Sequence, residues 1–142
     1  MNARDSLRAL PFMGEAFLEL LLARFKIMGR KGNHILSGLQ KANTHDVISI
    51  TGEQKKKAEQ IGRFIRSVMR HTRWNPTCLV QSLAATRMLR RRGLQGRLYI
   101  GVKRGDDHQF GAHAWVAVGD VYVCGGRQSS DFKVISVYNS GS

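Results

Sequence analysis

The sequence predicts an α+β fold in which N-terminal helices and a cysteine-bearing helix pack on an antiparallel sheet. Three observations carry that reading. Ile61, Phe64, Ile65 and Val68 fall at i, i+3, i+4 and i+7, one apolar helical stripe, with Arg63, Arg66 and Arg70 turned away. From residue 98 the period changes to two: Leu98, Ile100 and Val102 alternate, as do the residues from His113 to Val118. Between these patterns Gly93 sits where a C′ glycine would end a helix.

The elements follow in order. A first helix is expected near residues 13–28, with Phe17, Leu18, Leu20, Leu21, Leu22 and Phe25 read as a buried face, or as one that binds a partner helix. Contact with a membrane surface is a lesser alternative for it, helped by Arg24, Lys26, Arg30 and Lys31 nearby. Residues Gly29 to Thr51 read as connector. A second helix is expected near 53–72 and a third near 77–92, with Thr77 as its cap and Pro76 suited to a helix start. Leu98 to Val102, His113 to Val118, Val121 to Cys124 and Phe132 to Tyr138 form the sheet, and Gly105-Asp106-Asp107 makes a loop. If Gly119-Asp120 is a two-residue hairpin turn, Val118 faces Val121, Trp115 faces Cys124 and His113 faces Gly126. A length of 142 residues suits one domain over 1–142, with a helical N-terminal part over 1–72.

Cys78 and His113 are the candidate chemistry. A cysteine opening Cys78-Leu79-Val80-Gln81-Ser82 lies where unpaired helix N–H groups and the helix dipole favour a thiolate nucleophile. Taken alone, such a cysteine is more often a small buried hydrophobe. His113, on a strand later in the chain, supplies the imidazole that a cysteine nucleophile needs as base. A zinc site from Cys78, His108, His113 and Cys124 is a weaker alternative, because close-pair cysteine spacing is lacking.

Composition bounds the function classes. With 23 Lys and Arg against 10 Asp and Glu, the formal charge is +13, which attracts acidic partners. Lys55-Lys56-Lys57, Arg63, Arg66, Arg70, Arg73 and Arg90-Arg91-Arg92 lack the interleaved aromatics of a nucleic-acid reader, so a solvated basic face is expected, with a basic nucleic-acid-binding domain as an alternative function. Met1 to Leu10 has no apolar signal core, and Ala16 to Ala23 is short and carries Glu19, so a cytoplasmic address is expected. Two cysteines make no disulfide framework. No Gly-rich phosphate loop is visible, and no cofactor or metal is expected.

Three blocks give the chain a resemblance: Pro76-Thr77-Cys78-Leu79-Val80-Gln81-Ser82-Leu83-Ala84, then Leu89-Arg90-Arg91-Arg92-Gly93-Leu94 running into Leu98-Tyr99-Ile100-Gly101-Val102, then Phe110-Gly111-Ala112-His113-Ala114-Trp115-Val116. In order and spacing they resemble the lasso-peptide B2 proteins, leader peptidases of the transglutaminase-like cysteine protease group. The resemblance implies a catalytic core over 73–142, with Cys78 as nucleophile, His113 as base and an acid as third member. Here the sequence departs, because the position expected beside His113 holds glycine, and Asp120 lies at the turn, about 20 Å along at the usual strand rise. A Cys78–His113 dyad is therefore expected; Asp131 on the next segment is the acid that could return to the site, and a backbone carbonyl or an amide side chain is a weaker substitute. For the oxyanion, the N–H of Cys78 is the first donor, with Gln81 and Trp74 as side-chain candidates. The resemblance also implies partners: a precursor peptide, a separate leader-recognition protein and an ATP-dependent macrolactam cyclase. A non-catalytic leader-binding scaffold derived from the peptidase is the alternative.

Overall fold

The computed structural model describes residues 3–28, 36, 39–43, 48–71, 77–107 and 109–140. Trp74, Pro76 and His108 lie outside them, as do Arg73, Arg30, Lys31 and the side chains of Phe25 and Lys26. The elements are α1 (Ala3–Met28), β1 (Gln40–Lys41), α2 (Gly52–His71), α3 (Cys78–Arg91), β2 (Arg97–Arg104), β3 (Phe110–Val118), β4 (Val121–Cys124), a 3-10 helix (Gly126–Asp131) and β5 (Lys133–Asn139). The strands form one antiparallel sheet in the order β1-β5-β2-β3-β4, and the helices pack on one face of it, so the α+β expectation holds.

α2 and α3 follow their local signals. Thr51 and Gln54 form a reciprocal capping box: the Thr51 N–H donates to Gln54 Oε1 at 2.9 Å, and the Gln54 N–H donates to Thr51 Oγ1 at 3.2 Å. From there the stripe buries Ile61, Ile65 and Val68, each worth roughly 1.5–3 kcal/mol of transfer free energy. α3 begins after Thr77, whose Oγ1 accepts the Val80 N–H at 3.3 Å, and ends at Gly93 (φ +64°), where Leu94 N–H reaches Leu89 O at 3.0 Å.

Three expectations need correction. α1 starts at Ala3, ten residues before the expected start, and runs through Pro11, which takes away only one helix hydrogen bond. Its apolar residues do not share one buried face: Leu20 is buried, whereas Phe17, Leu18 and Leu22 are each more than two-fifths exposed. The connector holds a strand, β1, too short for any alternation to show, pairing Gln40 with Asn139 and Lys41 with Tyr138. In the third case the hairpin register slips. Val118 faces Val121 as expected, but Cys124 faces Val116 and not Trp115, because a bulge sets an extra residue of β4 against β3. The bulge turns both Val123 and Cys124 into the core, which strict alternation forbids.

The packing of α1 on α3 is partly ionic. Glu15 and Glu19, one turn apart on α1, meet Arg87, Arg91 and Arg92 near the end of α3. Arg92 holds Glu15 through both carboxylate oxygens, at 2.9 and 2.6 Å. That guanidinium, opposed by partial burial, keeps the Glu15 carboxyl below its ordinary value. Glu19 is fully buried; its Oε2 takes a hydrogen bond from Arg87 at 3.3 Å, and its Oε1 lies 2.5 Å from Arg91 Nη2 without hydrogen-bond alignment.

Candidate active site

Cys78 is the first residue of α3. With Thr77 as cap, the N–H groups of Cys78 and Leu79 belong to the first helical turn and have no acceptor within the helix. The thiol is half-buried and rests against the core. One turn on, Ser82 Oγ lies 3.7 Å from Cys124 Sγ. Burial pushes the Cys124 thiol up to about 11, with the Ser82 contact opposing that rise, so this second cysteine is a protonated core group at neutral pH.

The direction of α3 brings its cysteine end toward the histidine. A Cβ on Gly96 would touch both Leu89 and Val118, which puts Leu89 level with the hairpin end of β3. Ser82 is level with Cys124 and therefore with its partner Val116. Cys78 lies about 6 Å further along the helix axis. That carries it toward the His113 end of β3.

His113 stands on the opposite face of the sheet. Ala114, Val116 and Val118 join the core beneath the helices, so alternation turns His113 and Trp115 away from it. The imidazole is stacked on Trp115 at 5.7 Å between centroids and meets Phe132 at 5.1 Å. Gly101, its cross-strand partner, is needed there: a Cβ would come within 2.9 Å of both the Phe132 Cβ and the Trp115 ring. Past Val116 β3 has no ladder partner in β4, because the chain turns at Gly125 in the left-handed region (φ +72°). A side chain there would be strained and would run into the Ala114 carbonyl, so glycine is required.

That turn aims the Gly125 carbonyl at His113 Nε2, 2.8 Å away. A carbonyl only accepts, so Nε2 carries the proton and Nδ1 keeps the lone pair in the neutral ring. The backbone carbonyl thus occupies the orienting position beside the ring; it comes from Gly125, one residue before the glycine that the unbulged register indicates. Asp131 ends the 3-10 helix, exposed, and among the described residues makes no ion pair or hydrogen bond with His113; its neighbour Phe132 lies against the ring instead. Asp120 pairs across the surface with Lys55 at 3.6 Å. Gln81 is half-buried one turn after the cap, its N–H bonded to Thr77 O at 3.0 Å.

Among the described residues no hydrogen bond joins Cys78 to His113, and no group of three or more His, Cys, Asp or Glu side chains is placed to hold a metal. Cys78 starts a helix on the core face while the imidazole lies against Trp115 and Phe132 on the other, so no described contact brings the two side chains together. Sequence reading allowed for a backbone carbonyl beside the ring without identifying Gly125, and it missed the Thr51–Gln54 capping box and the acidic partners of Arg91 and Arg92. Only the box has a local signature, Thr51-Gly52-Glu53-Gln54.

A helix that starts at a cysteine, packed on an antiparallel sheet that carries a histidine, is the layout of papain-like and transglutaminase-like α+β proteins. The chain matches the transglutaminase-like superfamily over residues 21–137 and belongs to it. This is a fold commonly used by cysteine peptidases. No curated protein and no solved structure matches the chain significantly. Among the described residues no helix is long and apolar enough to cross a membrane.

Proposed function

We propose that the protein is a cytoplasmic cysteine peptidase that removes the leader from a ribosomally synthesised lasso-peptide precursor, with Cys78 as nucleophile and His113 as base. The observation that carries this reading is the orientation of His113: with Nε2–H bound to the Gly125 carbonyl, Nδ1 is the basic atom of the neutral ring. The three motif blocks and the superfamily match supply the reaction class.

The chemistry follows from those roles. His113 Nδ1 takes the thiol proton as Cys78 Sγ adds to the scissile carbonyl carbon, and the Cys78 N–H, with Gln81 as a side-chain candidate, faces the developing oxyanion. The C–N bond breaks as the imidazolium passes its proton to the leaving amine. A water molecule, deprotonated by the same imidazole, then hydrolyses the thioester, releasing the acid and restoring the thiol. A carbonyl holds an imidazolium less strongly than a carboxylate does, so a slow or partner-dependent enzyme is expected. The reading includes a separate leader-recognition protein that delivers the precursor and an ATP-dependent macrolactam cyclase that acts on the product.

Mass spectrometry of precursor peptide incubated with wild type, Cys78→Ala or His113→Ala, each with and without the recognition protein, tests this. Cleavage by wild type alone is the expected result. Wild-type rates in either variant remove the assigned roles. The glycine carbonyl in place of an acid favours one second reading, a leader-binding scaffold, which predicts binding without cleavage under every condition.

A further inference from the structure

The surface of α2 divides into two halves with different charge balance. In its first half Lys55 pairs with Asp120 at 3.6 Å and Lys57 with Glu53 at 3.4 Å. In its second half Arg63, Arg66 and Arg70 are all exposed, and among the described residues none has a carboxylate within ion-pair distance. Helical spacing of three, four and seven residues places the three guanidinium groups along one side of the helix. Glu59, one turn before Arg63, makes no ion pair with it.

Position gives this stripe a role. α2 runs parallel to β4: Lys55 is beside Asp120 at the hairpin turn, and Gly62 is so close to Val123 that a Cβ would stand 2.7 Å from its carbonyl oxygen. Arg66 follows one turn later, near enough for its charge to act on the Cys124 thiol, as Cys78 does from α3. Arg70 follows in turn, and only residues 72–76 separate the end of α2 from the Thr77 cap. These exposed arginines therefore lead along α2 to the end of α3 that bears Cys78.

We infer that Arg63, Arg66 and Arg70 form a docking track for an acidic segment of the peptide substrate, carboxylate side chains spaced along an extended chain. The inference rests on the peptidase reading and adds a substrate class to it. Guanidinium groups suit carboxylates because their paired N–H donors match both oxygens. Three exposed contacts of this kind together change affinity by about tenfold. Its effect fades with salt, over a screening length near 10 Å at 0.1 M.

Binding is measured on the Cys78→Ala protein, so no turnover is needed. The probe is a fluorescein-labelled peptide with glutamate at alternate positions, followed by anisotropy, with its glutamine counterpart as the uncharged control. The Arg63→Gln, Arg66→Gln, Arg70→Gln triple variant is expected to bind the glutamate peptide about tenfold more weakly. A second triple variant, Lys41→Gln, Lys55→Gln, Arg90→Gln, removes the same charge elsewhere and is expected to lose no more than about twofold. Equal loss in both variants, or none in the first, overturns the track. An oligothymidylate of the same length that displaces the peptide at lower concentration also overturns it, in favour of nucleic acid. Selective binding without precursor cleavage by wild type leaves the track standing and removes the peptidase reading. Cleavage indifferent to acidic residues does the reverse.

Discussion

Two neighbouring helices carry arginines one turn apart, Arg87 and Arg91 on α3 and Arg66 and Arg70 on α2, and the protein treats them oppositely. On α3, Arg87, Arg91 and Arg92 are drawn onto Glu15 and Glu19 of α1 and help close the helical layer. On α2, Arg63, Arg66 and Arg70 are exposed, and among the described residues no acid lies within ion-pair distance of them. A one-turn spacing, present in both clusters, does not tell them apart. What separates them is whether an acidic helix packs against that face, so the net charge of +13 is a sum over residues with different work.

The sharpest way to break the comparison is to strip Glu19 of its partners. Arg87→Ala with Arg91→Ala leaves a fully buried carboxylate uncompensated, and denaturant unfolding is expected to show a loss of about 3 kcal/mol. A loss as small as that of a surface change means that α1 does not hold α3 in this way. The second experiment uses pH. Glu15 has a lowered carboxyl pKa in the folded protein, so its contribution is complete above the unfolded value of 4.5 and disappears as pH falls through the lower folded value. Unfolding midpoints followed downward through that region should fall less steeply in Glu15→Gln than in wild type; parallel curves would detach Glu15 from the effect. Smallest is the triple substitution of Arg63, Arg66 and Arg70 to glutamine, which should shift stability by no more than about 0.5 kcal/mol by the same measurement. A larger loss would show that the α2 arginines are structural after all.

Elements whose signals are local could be read from the chain. The Ile61 to Val68 stripe, the Thr77 cap and the Gly93 terminus all lie within a few residues of what they control, and each has its expected place. Of the candidate site, the placement of Cys78 at a helix start and of His113 on a strand was legible, and the surroundings of the imidazole were not. Counting outward from Gly119-Asp120 gives the first pair, Val118 with Val121, but the bulge near Val123 depends on how β4 packs beneath α2, and no count along the strand contains that. The orienting carbonyl of Gly125 is a product of that bulge and the left-handed turn after it. Backbone oxygens carry no signature in a sequence, whereas an acid would have. Exposure of Phe17, Leu18 and Leu22 was hidden for a related reason: a helix leucine-rich on every side does not say which side the rest of the molecule will choose.

The sheet also decides how molecules of this protein meet one another. One edge is a strand of two residues, β1, and the other a bulged strand of four, β4, after which the chain turns away at Gly125. Neither β1 nor β4 offers a neighbour a long row of open N–H and C=O groups, the template on which sheets of different molecules fuse into aggregates. With like charge repelling copies at a distance, any seam between them is left to the stretches of β3 before Val116 and of β5 before Tyr138 that β4 and β1 do not pair.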